Sequence, residues 1–292
     1  MVRLSILEKK GERLVLLLEG VTPALANSIR RALIAEVPTL AIDEVIIAEN
    51  TSVLWDEMVA HRLALIPLKM DEKTYDALLD CYERGEDCSV IFSLDEEAVE
   101  RTRTVLSGRL RFEGVEGVAA PAEAFHVEPV SKNIPILKLA RGQRISLTAI
   151  ARMGVGREHA KWQPVSAVGY KYKPIIRILK NPESEEVAAK IVETCPRKVF
   201  GYRDGALVIV NPLSCSLCRE CAEKFPEYIE VRGDIHTIIM SVEGLGMIPV
   251  EKALLVALDV LSKRVNGLVE KIREEALKAE MQLAAGEALK RG

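Results

Sequence analysis

The apolar and polar positions alternate at the start of the chain. "VRLSIL" alternates, "KKGE" turns and "RLVLLLEG" returns, which predicts a β-hairpin over residues 2–19. The period then changes. In "TPALANSIRRALIAEVP", Leu25, Ile29, Leu33 and Val37 recur every four residues with Ala32 beside them, giving one apolar stripe on an amphipathic helix. Thr22 suits the N-cap, Pro23 the first helical position, and Pro38 stops the helix. Arg30 and Arg31 lie off the stripe.

Residues 40–50 predict a strand, and "DEMVAHRLALIPL" at 56–68 predicts a short helix ending near Pro67. From 70 to 165 the pattern is mixed. A helix is expected near 72–84, then β-rich pieces around 87–93, 105–113 and 124–130, punctuated by Gly and Pro. "YKYKPIIRILK" is a basic, strand-like stretch, and "NPESEEVAAKIVETC" a helix with acids in its first turn. A short strand is expected at 205–211 and two more over 227–242. The last fifty residues predict one helix opening at Pro249, with Leu254, Leu258, Leu261, Val265, Leu268 and Ile272 in a long apolar stripe. After Arg273 the Ala/Glu/Lys-rich sequence predicts a solvated extension. A stripe this long needs cover, either from the chain's own stripe at 25–37 or from another subunit.

Composition narrows the function. With 292 residues and 49% hydrophobic content, one to three domains with a sizeable core are expected. A net charge of −3 and 4% aromatics argue against a dedicated nucleic-acid binder or a base-stacking platform. No run of eighteen apolar residues occurs, and charges break the start of the chain within seven residues. The expectation is a soluble cytoplasmic protein with no signal peptide. Six cysteines are too few for a secreted disulfide scaffold, so clustered ones read better as metal ligands.

Three of the six stand in "CSLCREC", as Cys215, Cys218 and Cys221, and a fourth precedes a proline at Cys195-Pro196. A bacterial ferredoxin cluster takes three cysteines from a C-x2-C-x2-C run and a fourth from a distant Cys-Pro. Counting back from Cys195, a second cluster's ligands would fall at Ile191, Ala188 and Glu185; counting forward from Cys221, its Cys-Pro has become Phe225-Pro226. The expectation is therefore one iron–sulfur cluster on Cys195, Cys215, Cys218 and Cys221, [4Fe-4S], or [3Fe-4S] if Cys195 stands aside. Zinc fits steps of three less well, since its sites favour paired C-x2-C knuckles; unligated structural cysteines are the remaining alternative. Cys81 and Cys88 in "CYERGEDC" read as buried thiols or a local disulfide.

The common catalytic signatures are missing: G-x-x-x-x-G-K-[ST], H-E-x-x-H, G-x-S-x-G and a compact aspartate triad. His61, His126, His159 and His236 are scattered, and "GVGREH" is no dinucleotide fingerprint.

"ANSIRRALIAEVPTLAIDEV" (26–45), "DEMVAHRLALIPL" (56–68) and "HTIIMSVEGLGMIPVEKALLVALDVL" (236–261) together resemble one RNA polymerase family. It holds the archaeal D-type subunit, the bacterial α subunit's N-terminal domain and the third-largest subunit of eukaryotic polymerase II. Ala64 stands where that family usually has glycine. The resemblance implies an α+β fold: an α-N-terminal-like dimerisation domain (1–40 plus 227–292) with an inserted mixed α/β domain (41–164) and an inserted ferredoxin-like iron–sulfur domain (165–226). It implies a non-catalytic assembly subunit of a DNA-directed RNA polymerase, pairing with subunit L and then with subunits N and P and the large catalytic subunits, without specific DNA contact. The interface residues it points to are Leu25, Ile29, Leu33, Leu254, Leu258, Leu261, Val265, Leu268 and Ile272. Arg30 and Arg31 are candidates for polar contacts with the large subunits, against the alternative of a solvated face. The rival function is an iron–sulfur electron-transfer protein or oxidoreductase subunit; a zinc-containing nucleic-acid module is disfavoured by the net charge.

Overall fold

The computed structural model describes residues 2–118 and 125–291, with side chains of the last helix described as far as residue 278. The chain opens with the hairpin β1 (Arg3–Lys10) and β2 (Arg13–Glu19), then α1 (Pro23–Ala35), β3 (Pro38–Asn50), α2 (Asp56–Ala64), β4 (Leu68–Met70) and α3 (Glu72–Arg84). Next come β5 (Ser89–Glu97), β6 (Arg103–Leu106), β7 (Arg111–Glu116), β8 (Val127–Pro129), β9 (Pro135–Leu139), β10 (Arg144–Val155) and β11 (Val165–Ile178). The last part holds α4 (Glu185–Thr194), β12 (Phe200–Arg203), β13 (Ala206–Ile209), α5 (Glu220–Lys224), β14 (Ile229–Gly244) and α6 (Val250–Arg291). The fold is mixed α+β, and the chain divides into two compact units, residues 1–27 with 168–242 and residues 28–167 with 243–292.

The first unit is built on a four-stranded sheet in the order β1-β2-β14-β11. β2 alternates as its sequence demands, burying Leu14, Leu16 and Leu18 on one face. β1 is an edge strand exposed along its whole length, leaving Leu4, Ile6 and Leu7 in solvent. The two strands expected over 227–242 are one continuous strand. Gly233 packs on Tyr172, where an added Cβ would lie 2.8 Å from that side chain, so the glycine accommodates a neighbour and does not mark a turn.

The second unit centres on the antiparallel sheet β3-β10-β5-β7. Leu40 and Ile42 of β3, Val90, Phe92 and Leu94 of β5, and Ala149 and Ala151 of β10 are buried. α3 adds Tyr75 and Leu78 to the buried set, and Tyr75 donates its hydroxyl to the Pro38 carbonyl at 3.1 Å. Burial pushes the Tyr75 phenol well above the tyrosine range, so it acts as a neutral donor. α3 starts where the Asp71 carboxylate accepts from Thr74 N at 2.9 Å, and ends where Gly85 takes up φ 71°. The strand piece expected at 124–130 is present as β8, residue 124 lying outside the described residues. β9 and β10 go beyond the sequence expectation, although β10 buries every second residue over most of its length.

Trp162 closes one end of this sheet. Its ring lies on Gly154, where an added Cβ would sit 2.4 Å from a ring carbon, its indole N–H donates to the Arg152 carbonyl at 3.0 Å, and Thr39 Oγ1 donates to its own carbonyl at 2.5 Å. Gly154→Ala is expected to destabilise the protein by about 1–3 kcal/mol, because the ring is fixed by these bonds and cannot yield. A urea melt of the variant checks this; an unchanged midpoint would mean that the indole moves freely.

Candidate functional site

Two places carry the residues singled out above: the cysteine segment in the first unit and the long helix α6 in the second.

The cysteine segment begins where α4 ends. Ser184 caps α4 by accepting from Val187 N, and Cys195 is the C-cap residue. Pro196 to Lys198 then lead into β12, with Lys198 in the left-handed region at φ 51°. After β13 the chain turns through Cys215–Cys221, where Leu217 and Arg219 are also left-handed, at φ 59° and 62°. Leu217 N donates to Cys215 Sγ at 3.4 Å, so the loop does curl around a sulfur. Lys171 of β11 fixes the same loop, donating from Nζ to the carbonyls of Leu213 (2.6 Å) and Cys215 (2.8 Å).

The sulfurs themselves are mostly core. Cys215 and Cys221 are buried with Ile191, Val199, Phe200, Leu207, Ile229 and Val231, and Cys195 packs against that cluster half-buried; Cys218 is exposed. Burial pushes the Cys215 thiol up, and the Cys221 thiol up to about 11. The four thiols are electrostatic neighbours, Cys221 sensing the other three and Cys215 sensing Cys195 and Cys218, although no three of the sulfurs come within 4.8 Å as ligands of one shared ion would. The one such group among the described residues is Cys81, Glu86 and Cys88. There the two sulfurs form a disulfide and Glu86 is paired with Arg84, so no thiolate is available. The disulfide ties the last turn of α3 to the start of β5, one of the two states left open by the sequence.

α6 is the longest element, and its exposure changes along its length. At its start Ala253, Leu254 and Ala257 are buried. Lys252 pairs with Asp76 at 2.7 Å and Lys263 with Glu83 at 2.7 Å, both on α3. Arg264 reaches Glu36, just past the end of α1. The stripe continues past these anchors without cover. Leu254 is 9% exposed and Leu258 37%, but Val265, Leu268 and Ile272 are 61%, 60% and 59% exposed. On α1, Ile29 and Leu33 are buried, whereas Leu25 is 40% exposed. Arg30 is half-buried and Arg31 exposed. The predicted interface set thus splits: Ile29, Leu33 and Leu254 are taken up in intrachain packing, Leu261 is half-buried, and Leu25, Leu258, Val265, Leu268 and Ile272 are left open. Val53 and Trp55, in the loop before α2, are also exposed. Sequence reasoning misses them, since an isolated Trp in a loop carries no periodic signal.

Comparison with known proteins bears on both places. The RNA polymerase Rpb3/Rpb11 dimerisation domain family matches residues 15–265. The chain is 37% identical to DNA-directed RNA polymerase subunit Rpo3 of Methanosphaera stadtmanae over 281 residues, covering 94% of this chain and 100% of that one. It is 36% identical to subunit Rpo3 of Archaeoglobus fulgidus (94% and 100% covered). It is 35% identical to DNA-directed RNA polymerase II subunit rpb3 of Dictyostelium discoideum (94% and 96% covered).

These findings overturn the expected cofactor. The matched proteins are named as RNA polymerase subunits and none of those names mentions an iron–sulfur cluster, so the comparisons speak against the expected [4Fe-4S] or [3Fe-4S] cluster on Cys195, Cys215, Cys218 and Cys221. The physical reason lies in the packing. Cys215 and Cys221 pack with Ile191, Val199, Phe200, Leu207, Ile229 and Val231, so both sulfurs are members of this unit's apolar core. The spacing made a loop; the residues around it made a core. The electron-transfer reading is unsupported along with the cluster.

The raised thiol has a consequence for stability. The unfolded Cys221 thiol ionises near 9.0 and the folded one near 11, so the unfolded state loses its proton first as pH rises. Stability from this group is full below about pH 9 and is lost progressively towards pH 11. Cys221→Ala removes that loss while leaving a small cavity. The variant's deficit in urea melts is expected to be largest near neutral pH and to shrink steadily as pH approaches the folded-state value; a deficit independent of pH would contradict the assignment.

Proposed function

The chain belongs to the RNA polymerase Rpb3/Rpb11 dimerisation domain family, and from that premise we propose that it is a non-catalytic assembly subunit of a DNA-directed RNA polymerase, pairing through α6 with a smaller subunit of the same family. The observation that carries the pairing is the bare part of the stripe. Val265, Leu268 and Ile272 follow the spacing of a helix–helix seam, yet each is more than half exposed. Burying each fully is worth about 1.5–3 kcal/mol, a driving force that their own unit leaves unused. Leu258 and Leu261 extend the proposed surface along α6, and the exposed Leu25 of α1 is a further proposed contact.

The proposed partner is the subunit L of the archaeal enzymes, with subunits N and P and the large catalytic subunits joining the pair afterwards. Arg31, with Arg30 beside it, is proposed to face the large subunits. The proposed domain arrangement keeps 1–40 with 227–292 as the dimerisation domain, 41–164 as a first insertion and 165–226 as a second, ferredoxin-like in outline with its cysteines given over to packing. A family match running from residue 15 to residue 265 supports a dimerisation domain assembled from both ends of the chain. Near-balanced charge, at −3 overall, supports the absence of specific DNA contact. Among the described residues no helix is long and apolar enough to cross a membrane.

The test is a titration of the chain with the purified small subunit by isothermal calorimetry. Val265→Glu with Leu268→Glu is expected to weaken the association by well over tenfold, because it places two charges in an apolar seam. The urea midpoint of the isolated chain should stay where it was, since both side chains are exposed. Undiminished affinity in the double variant would move the interface off α6.

A further inference from the structure

The first unit carries a surface feature of its own, apart from the α6 stripe. Where β1, β2, β11 and β14 meet the cysteine segment, they leave a groove of about 880 Å³. Its floor is apolar: Leu7 of β1, Val15 of β2 and Ile239 of β14. Its wall is the segment that Lys171 fastens, bearing Leu213, Ser214 and Ser216. Four cations line it, namely Arg13, Lys171, Arg197 and Lys198, against one carboxylate, Glu8. In a chain whose overall charge is −3, this is a local reversal of sign.

The cations differ in what they do. Lys171 is occupied in bracing the wall. Arg13, Arg197 and Lys198 are exposed and enter no ion pair among the described residues. They come from two separate places, β2 and the turn after α4, and converge on one groove. Lys198 is held there by a left-handed backbone that only a defined turn maintains. An apolar floor under a rim of uncommitted cations is complementary to a ligand that is acidic at its edges and apolar at its centre.

We propose that this groove docks an acidic segment of another protein, with an aliphatic side chain on the Leu7–Val15–Ile239 floor and carboxylates at Arg13, Arg197 and Lys198. Nucleic acid is the less favoured occupant. A single-stranded nucleic acid needs aromatic faces to stack on, and Tyr170 is the one aromatic side chain lining the groove.

Fluorescence anisotropy on the full-length chain tests this with three labelled probes: a short peptide alternating glutamate and leucine, the same peptide with glycine for leucine, and a short oligothymidine. The glutamate–leucine peptide is expected to bind most tightly, and more weakly as salt rises. Arg197→Glu with Lys198→Glu should weaken it by about tenfold or more, and Arg13→Gln, on a different element, by a smaller factor. All three positions are exposed, so melting curves should coincide with that of the parent chain. The proposal is overturned if the peptide fails to bind, if the charge-reversed chain binds it equally well, or if the glycine peptide binds as tightly as the leucine one. Binding of oligothymidine in preference to the peptide, abolished by the same substitutions, would overturn it in favour of nucleic acid.

Discussion

The carboxylate of Glu36 is nine-tenths buried and faces two arginines: Arg157, at 2.6 Å, from the loop after β10, and Arg264 of α6. Its Oε1 atom serves both, while Oε2 has no hydrogen-bond partner. The two guanidiniums are half-exposed and would be well solvated without the glutamate; the glutamate has no such alternative. The asymmetry makes Glu36 the constrained member, because a buried charge deprived of its partners costs far more than an exposed pair contributes. Three places distant in sequence are therefore held together: the end of α1, the exit of β10 and the middle of α6. Lys252 and Lys263 add further links from α6 to α3. The direction in which α6 leaves its unit follows from these contacts, and so does the point at which its apolar stripe runs out of neighbours.

The cysteine segment shows how one spacing can serve two chemistries. Steps of three residues let a loop wrap around a sulfur, and the loop does wrap, with Leu217 N on Cys215 Sγ. What the spacing does not encode is the dielectric around the sulfurs. That is set by Ile191, Val199, Phe200, Leu207, Ile229 and Val231, which arrive from α4, β12, β13 and β14 and the residues beside them. Each reads in the sequence as an ordinary member of its own helix or strand. Their convergence on Cys215 and Cys221 is a tertiary fact, and it places both sulfurs in an apolar core that the spacing alone does not foretell.

The same distinction separates what can be read of the fold from what cannot. α1, α3, α4 and α6 are legible because each combines a helical period with a chemical boundary: Pro23, Asp71 with Gly85, Ser184, Pro249. β10 carries as clear an alternation as β2, yet its neighbours, β6 to β9, are short pieces whose meaning depends on pairing with distant strands. Over β14 the sequence suggests two strands where the structure has one, and Gly233 within it makes room for Tyr172. The residues of the interface stripe are legible as a stripe, but a period cannot say where cover ends. That boundary falls between Leu254 and Val265, where Arg264 and Lys263 make, among the described residues, the helix's last ion pairs with other elements.

Beyond that boundary α6 continues through Ile272, about 16 Å further along the axis than Leu261 at 1.5 Å per residue. A helix permanently surrounded by solvent on all sides has no need of an apolar stripe. Instead Val265, Leu268 and Ile272 keep the heptad-like spacing of 258 and 261, with Lys263, Glu270, Lys271, Arg273 and Glu274 on the remaining faces. The helix is thus amphipathic where its own unit offers nothing to be amphipathic against. Apolar positions in register, on a helix already anchored by Glu36, are what the proposed pairing through α6 would cover.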